Sequence, residues 1–243
     1  IAKEHHLYVL EDCAHAIDTI YRGKHAGTLG DVGCFSFYVT KNVTAIEGGM
    51  IITRHEEIAD QVKILALHGM SADAWSRFSD QGFKHYEVSY PGFKNNLTDV
   101  HAALALSQLK RIEHNLVRRE AIWQQYDAAF QNLPCFIPLP PEKETRHARH
   151  LYTLLLDLNA LKLDRDRFLQ ELHDVQIGGG VHYRSLHLHR YYRDTFNFQS
   201  HDFPGSYWHS ERTVSLPFSA GLTDQDVSDV IEAVQHILKS NKR

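Results

Sequence analysis

Three short segments decide the fold: Glu11-Asp12-Cys13-Ala14-His15-Ala16, then Gly30-Asp31-Val32-Gly33-Cys34-Phe35-Ser36-Phe37, then Lys41 followed by Glu47-Gly48-Gly49. The acidic pair Glu11-Asp12 ends an apolar run over 7–10 that reads as a strand. Two more apolar runs, over 32–38 and 49–53, flank the polar segment that carries Lys41. Paired glycines ahead of a strand permit positive φ and close backbone approach. Between the first two segments, Tyr21-Arg22-Gly23-Lys24 places a glycine in a tight turn between short strands. The pattern is that of an α/β sheet with functional loops at its strand ends.

Taken singly, these residues say little. An Asp at a strand end is ordinarily a cap, a Ser between two Phe is packing, and a Lys in a polar loop is solvated. Their order and spacing change the reading. A carboxylate, a small residue beside a polar ring, a hydroxyl and a lysine on successive sheet ends are what a phosphorylated pyridine aldehyde requires. The carboxylate keeps the pyridine nitrogen protonated, so that the ring acts as an electron sink. The lysine forms a Schiff base with the aldehyde, and the hydroxyl meets a phosphate oxygen.

Five segments in chain order resemble the DegT/DnrJ/EryC1/StrS family of sugar aminotransferases. They are the segment over 11–16, Phe35-Ser36-Phe37 with Lys41 five residues after the Ser, Glu47-Gly48-Gly49, Gly92-Phe93-Lys94-Asn95-Asn96-Leu97-Thr98-Asp99, and Gly178-Gly179-Gly180-Val181-His182-Tyr183. The resemblance runs nearly from end to end. It implies an α/β chain of the aspartate-aminotransferase-like fold type I, with pyridoxal 5'-phosphate as cofactor. It implies part of a large cofactor-binding domain over 1–133 and a small C-terminal α+β domain over 134–243.

By the same resemblance, Asp12 pairs with the pyridinium nitrogen, Ala14 lies against a ring face, His15 reaches the ring hydroxyl and Ser36 binds phosphate. Lys41 is the Schiff-base and proton-transfer residue. Family members are homodimers with shared active sites, so the loop over 94–96 is expected to approach the cofactor phosphate. Asn96 is carried over; Asn95 stands where the family has Tyr. His182 and Arg184 are candidate contacts to the sugar or its diphosphate.

The implied reaction moves an amino group from glutamate, leaving 2-oxoglutarate, to a nucleotide-linked 4-keto-sugar. Lys94, the run over 96–99 and Tyr191-Tyr192-Arg193 are similar to members that make UDP-4-amino-4-deoxy-L-arabinose. A UDP-4-keto-pentose is therefore the favoured substrate, with a place in surface polysaccharide or lipid A modification. Members acting on 4-amino-4,6-dideoxy sugars share much of the pattern. A dehydratase of the same fold has His in place of the lysine, so Lys41 speaks against that alternative.

A non-catalytic interaction subunit is the other alternative. Ile1-Ala2-Lys3-Glu4-His5-His6 reads as the end of a helix running into a strand, so the chain is expected to be truncated at its amino terminus. Family members place a phosphate-binding turn and a ring-stacking aromatic upstream of that point.

Helical spacing of Ile58, Val62 and Leu65 predicts a helix over 56–68, and one long helix is predicted over 99–130 behind the N-cap Thr98. Pro134, Pro138, Pro140 and Pro141 mark the expected domain boundary. Beyond it come a strand over 151–158, a helix near 165–174, short strands around 177 and 181–183, and a last helix opening at Thr223. Trp75, Trp123 and Trp208 read as core or interface aromatics, and His68 and His150 as structural histidines.

With 243 residues, 43% hydrophobic, the chain is long enough for a sizeable core. Lys plus Arg total 26 against 30 Asp plus Glu, a net charge of -4. That balance offers no broad basic surface, so nucleic acid is not an expected partner. No run reaches the roughly 18 apolar residues of a membrane span, and a cytoplasmic protein without membrane insertion is expected. Cys13, Cys34 and Cys135 form no Cys-x-x-Cys pair and read as reduced packing groups. No metal is expected at the histidines over 182–189, because strand-like alternation would send His187 and His189 to one side and His182 to the other.

Overall fold

The computed structural model describes residues 1–70 and 87–243; Trp75 lies outside the described residues. The chain forms two compact units, one of residues 1–113 with 141–150, the other of 114–140 with 151–243.

The first unit is built on a sheet in which β1 (Leu10–Asp12) runs parallel to β4 (Val32–Ser36), and β4 pairs antiparallel with β5 (Gly49–Thr53). The first strand sits later than the apolar run over 7–10. The reason is local: the Val9 amide donates to the Asp31 carboxylate, and the Val9 carbonyl accepts from Asp31 and Val32, so ladder pairing starts at Leu10. Residues 2–6 form turns, not the end of a helix. Glu11 organises the loop ahead of β4, its carboxylate accepting from the amides of Gly27, Leu29 and Gly30. Gly27 has φ +86°, and a Cβ on Gly33 would lie 2.4 Å from the Gly27 Cα, so the loop closes over the strand only with glycine at both positions.

A second small sheet joins β2 (Ile20–Tyr21) to β3 (Lys24–His25) and to β7 (Thr145–Arg146). This pairing is why residues 141–150, which lie beyond the proline cluster, belong to the first unit. Helix α1 (Glu56–Ala66) follows β5.

The single helix expected over 99–130 is two helices, α2 (Asp99–Leu109) and α3 (Ile112–Phe130). The Arg111 amide bonds the carbonyl of Gln108, three residues back, which tightens the turn and ends α2. No proline or glycine causes the break. It falls where the chain passes between cores: Ala105 of α2 packs with Phe37, Val43 and Ala45, whereas Ile122, Trp123, Tyr126 and Phe130 of α3 enter the core of the second unit. For the same reason the units divide near residue 114, not at 133.

In the second unit, β6 (Cys135–Phe136), β8 (Tyr152–Leu156) and β9 (Thr213–Leu216) form an antiparallel sheet. Tyr152, Leu154 and Leu156 alternate inward and meet α3, α4 (Arg165–Asp174) and α7 (Asp224–Ser240). Burial pushes the Cys135 thiol up to about 12, so at neutral pH it is an uncharged packing group. Two short helices, α5 (Arg190–Phe196) and α6 (Pro204–Ser210), lie between α4 and β9.

No strands form around 177 or over 181–183. The glycines over 178–180 offer no side chains to pack, and Gly180 makes only an isolated bridge to Ser215. Nor does the histidine stretch alternate: Leu186–Leu188 is a 3-10 turn, His187 is buried against Phe203 and His189 is exposed. Among the described residues, no helix is long and apolar enough to cross a membrane.

Helix α7 opens on a capping box, with Thr223 Oγ1 accepting from the Asp226 amide at 3.1 Å and the Asp226 carboxylate accepting from the Thr223 amide at 2.8 Å. Hydrogen bonds from the Thr223 side chain and backbone hold the Asp226 pKa below its ordinary value. Its contribution is therefore complete above the ordinary carboxylate range and is lost as pH falls through the lowered value. Thr223→Ala is expected to destabilise the second unit by about 1 kcal/mol. Thermal melts should show that deficit at neutral pH and a narrower one in acid.

Candidate active site

Because β1 and β4 run parallel with Asp12 opposite Cys34, their carboxyl ends bring Asp12 and Ser36 to one edge of the sheet. Ligands of α/β sheets bind at such edges. Asp12 Oδ1 accepts from the Ala14 amide at 3.0 Å, which turns the chain out of the strand. Cys13 beneath it is buried, with its amide on the Cys34 carbonyl and its thiol pKa raised by burial. The Ala16 amide closes the turn on the Cys13 carbonyl, leaving the His15 ring exposed.

The loop after β4 is anchored by Phe37, Val43 and Ala45, all buried, and by amide bonds from Phe37 to Gly48 and from Ala45 to Phe37. Ser36 Oγ accepts from the Tyr38 amide at 3.3 Å, and the Lys41 amide bonds the Tyr38 carbonyl. Lys41 leaves this loop with Nζ 2.7 Å from His15 Nε2. An ammonium has no lone pair, so when Lys41 is charged the imidazole nitrogen is the acceptor and His15 is neutral. Two residues 26 positions apart thus converge on one point.

The His15 ring lies 4.0 Å from that of His150, inclined by 37°. His150 Nδ1 is 2.8 Å from Asn42 Oδ1, and Asn42 Nδ2 donates to the Ala148 carbonyl at 2.7 Å. Asn42 did not stand out in the sequence, and His150 read as a structural residue. The one available signal was that Asn42 adjoins Lys41, since the separation of 108 positions between Asn42 and His150 hides their pairing.

Asn96 is placed differently. Its side chain accepts from Lys94 Nζ, and it lines a cavity of about 810 Å³ with Gly48 and Gly49. Among the described residues no hydrogen bond joins it to Asp12 or Lys41. His182 and Arg184 belong to the second unit, where His182 Nδ1 lies 2.7 Å from Ser215 Oγ and Arg184 is exposed.

Residues 1–235 match the DegT/DnrJ/EryC1/StrS aminotransferase family. The chain belongs to that family. It is 47% identical over 242 residues to an uncharacterized protein of Methanocaldococcus jannaschii, covering 100% of this chain and 63% of that protein. It is 45% identical over 240 residues to the spore coat polysaccharide biosynthesis protein SpsC of Bacillus subtilis, covering 98% of this chain and 62% of SpsC. Among solved structures it is similar to Helicobacter pylori PseC, an aminotransferase involved in the biosynthesis of pseudoaminic acid, with a TM-score of 0.84 and 29% identity. That match covers 98% of this chain and 62% of PseC. This member of the DegT/DnrJ/EryC1/StrS family therefore has the fold-type-I architecture, and it spans less than two thirds of the length of the curated relatives it matches.

The site fits the family's cofactor. On pyridoxal phosphate the aldehyde and the hydroxyl are neighbouring substituents, and here an amine and a hydrogen-bonding imidazole nitrogen are neighbours at 2.7 Å. Asp12 and the Ser36 hydroxyl at the same edge of the sheet are of the remaining types the cofactor calls for, a carboxylate to accept from a ring N–H and a hydroxyl to meet a phosphate.

Proposed function

We propose that this chain serves a pyridoxal-phosphate-dependent aminotransferase that moves an amino group from glutamate to a nucleotide-linked 4-keto-sugar. The observation that carries the reading is the Lys41–His15 contact, formed by the loops that follow the parallel strand ends where Asp12 and Ser36 lie. Bound pyridoxal phosphate supplies an electron sink that a side chain lacks. Lys41 Nζ holds the cofactor covalently and, once released, moves the proton at the substrate carbon that gains or loses nitrogen. The Asp12 carboxylate keeps the proton on the ring nitrogen, His15 holds the ring hydroxyl, Ala14 lies against the ring face and Ser36 binds phosphate. His182 and Arg184 are assigned to the sugar or its diphosphate, and Asn96 to the partner's phosphate site in a homodimer.

The finer reading takes a UDP-4-keto-pentose as substrate, supported by Lys94, the run over 96–99 and Tyr191-Tyr192-Arg193. Similarity to SpsC favours surface polysaccharide, with lipid A modification as the related destination. In the whole protein, added pyridoxal phosphate is expected to develop the visible absorption of a lysine-bound cofactor; its absence there sinks the enzyme reading. Assayed with glutamate, a UDP-4-keto-pentose should be turned over faster than 4-keto-6-deoxyhexoses, and equal rates would remove the pentose preference. Asp12→Ala is expected to lower kcat by about 10²–10³-fold while cofactor attachment survives, because the charge it stabilises is greatest in the transition state.

A further inference from the structure

Lys41, His15, His150 and Asn42 form a circuit that closes on itself. The Lys41 amine meets His15 Nε2, the His15 ring lies on the His150 ring, His150 Nδ1 meets Asn42 Oδ1, and Asn42 is the chain neighbour of Lys41. We propose that Asn42 and His150 are positioning residues that hold the His15 imidazole in the orientation that receives the Lys41 amine.

The assignment of hydrogens runs from the backbone outward. The Ala148 carbonyl only accepts, so the Asn42 group facing it at 2.7 Å is the amide nitrogen. Asn42 therefore turns its oxygen to His150, and a hydrogen sits on His150 Nδ1. His150 is 8% exposed and is held at its edge by this bond, so it presents a fixed ring face. His15 is exposed and sits on a turn, where a lone imidazole would sample several rotamers. Contact at 4.0 Å with a fixed ring narrows that set, and the Lys41 amine, at the end of a flexible four-carbon stem, finds its acceptor in one place.

Asn42 is placed to act through His150, by the bond from His150 Nδ1 to its oxygen, and His150 through the His15 ring, by their contact at 4.0 Å. Their pairing also explains why residues 141–150 return to the first unit after the proline cluster: Asn42 binds that segment at both Ala148 and His150. This inference rests on the proposed function for its consequence, since a held Lys41 matters most if it captures the cofactor. Its geometry does not depend on that reading.

The test begins without cofactor, on the protein labelled with nitrogen-15 histidine. Long-range proton–nitrogen spectra of the wild type should show His150 with its hydrogen on Nδ1 and His15 as one tautomer whose Nε2 accepts. His150 with its hydrogen on Nε2 overturns the proposal before any variant is made. Asn42→Ala and His150→Phe should each return the His15 nitrogens to the averaged shifts of a free imidazole. Borohydride trapping of pyridoxal phosphate on Lys41, read by peptide mass, should slow by about ten-fold in both variants.

His150→Phe keeps a ring face without the Asn42 bond, so it gives a second variant should Asn42→Ala fold poorly. A lower melting temperature with unchanged His15 spectra and trapping rate would make the pair a structural anchor and overturn the proposal. If wild-type Lys41 traps no cofactor, the proposed function fails, while the cofactor-free spectra still decide the positioning role.

Discussion

Replacing Lys41 by alanine is expected to abolish covalent attachment of pyridoxal phosphate and to lower turnover of the whole protein by roughly 10⁴-fold, the upper range for loss of a positioned proton-transfer group. Lys41 is assigned both roles, so one substitution removes the linkage and the base together. Fold stability should hardly change. Among the described residues, the Lys41 side chain bonds one exposed partner, His15, and no buried polar group loses its bond when the amine is removed. Surface changes of this kind stay within about 0.5 kcal/mol. The measurement is a visible spectrum with added cofactor, followed by borohydride trapping and peptide mapping. A band of undiminished height in Lys41→Ala, with the label found on another lysine such as Lys94, would overturn the assignment. Lys41→Arg separates the roles, because it keeps the charge beside His15 and cannot form the linkage.

Phe168→Ala is expected to destabilise the second unit by about 3–5 kcal/mol, among the largest costs of any single truncation in the chain. Phe168 is 0% exposed and sits on α4 in the core that Tyr126, Phe130, Tyr152 and Leu172 share. Its removal leaves a cavity in that buried core, and the cost depends on how far the surrounding side chains can collapse into it. Domains are commonly stable by only about 5–15 kcal/mol, so such a loss takes a large share of the total. Urea unfolding followed by circular dichroism should show the midpoint fall with little change in slope. Val117→Ala on α3 is the control: at 72% exposure it should shift stability by less than about 0.5 kcal/mol. A shift below about 1 kcal/mol for Phe168→Ala would mean that the core around α4 is not packed as described.

Some features were legible in the chain because the information is local. The inward alternation of Tyr152, Leu154 and Leu156 follows from the two-residue period of a strand. The start of α7 follows from Thr223 and Asp226 three residues apart, and the turn at Gly23 from a glycine between short strands, which takes a φ of +76°. Where neighbours distant in sequence decide, local reading fell short. The first strand moved to Leu10 because Asp31 takes the Val9 amide, and the helix over 99–130 divided because its two halves enter different cores.

The same division runs through the site. Asp12, Ser36 and Lys41 were marked by their order along the chain, since a cofactor bound at successive strand ends imposes a sequence of residue types at short spacing. The five segments from Glu11-Asp12 to His182-Tyr183, through their resemblance to the family, were enough by themselves to imply the family and the fold type, and the match over residues 1–235 agrees. What only the tertiary structure decided is the company Lys41 keeps: the 2.7 Å approach of His15, the His150 ring against it, and Asn42 bonding both His150 and Ala148. Those contacts join residues that lie far apart along the chain, 26 positions for Lys41 and His15 and 106 or more for the others, and hydrogen bonds and ring contacts act over a few ångströms of space, a distance that spacing along a chain does not encode.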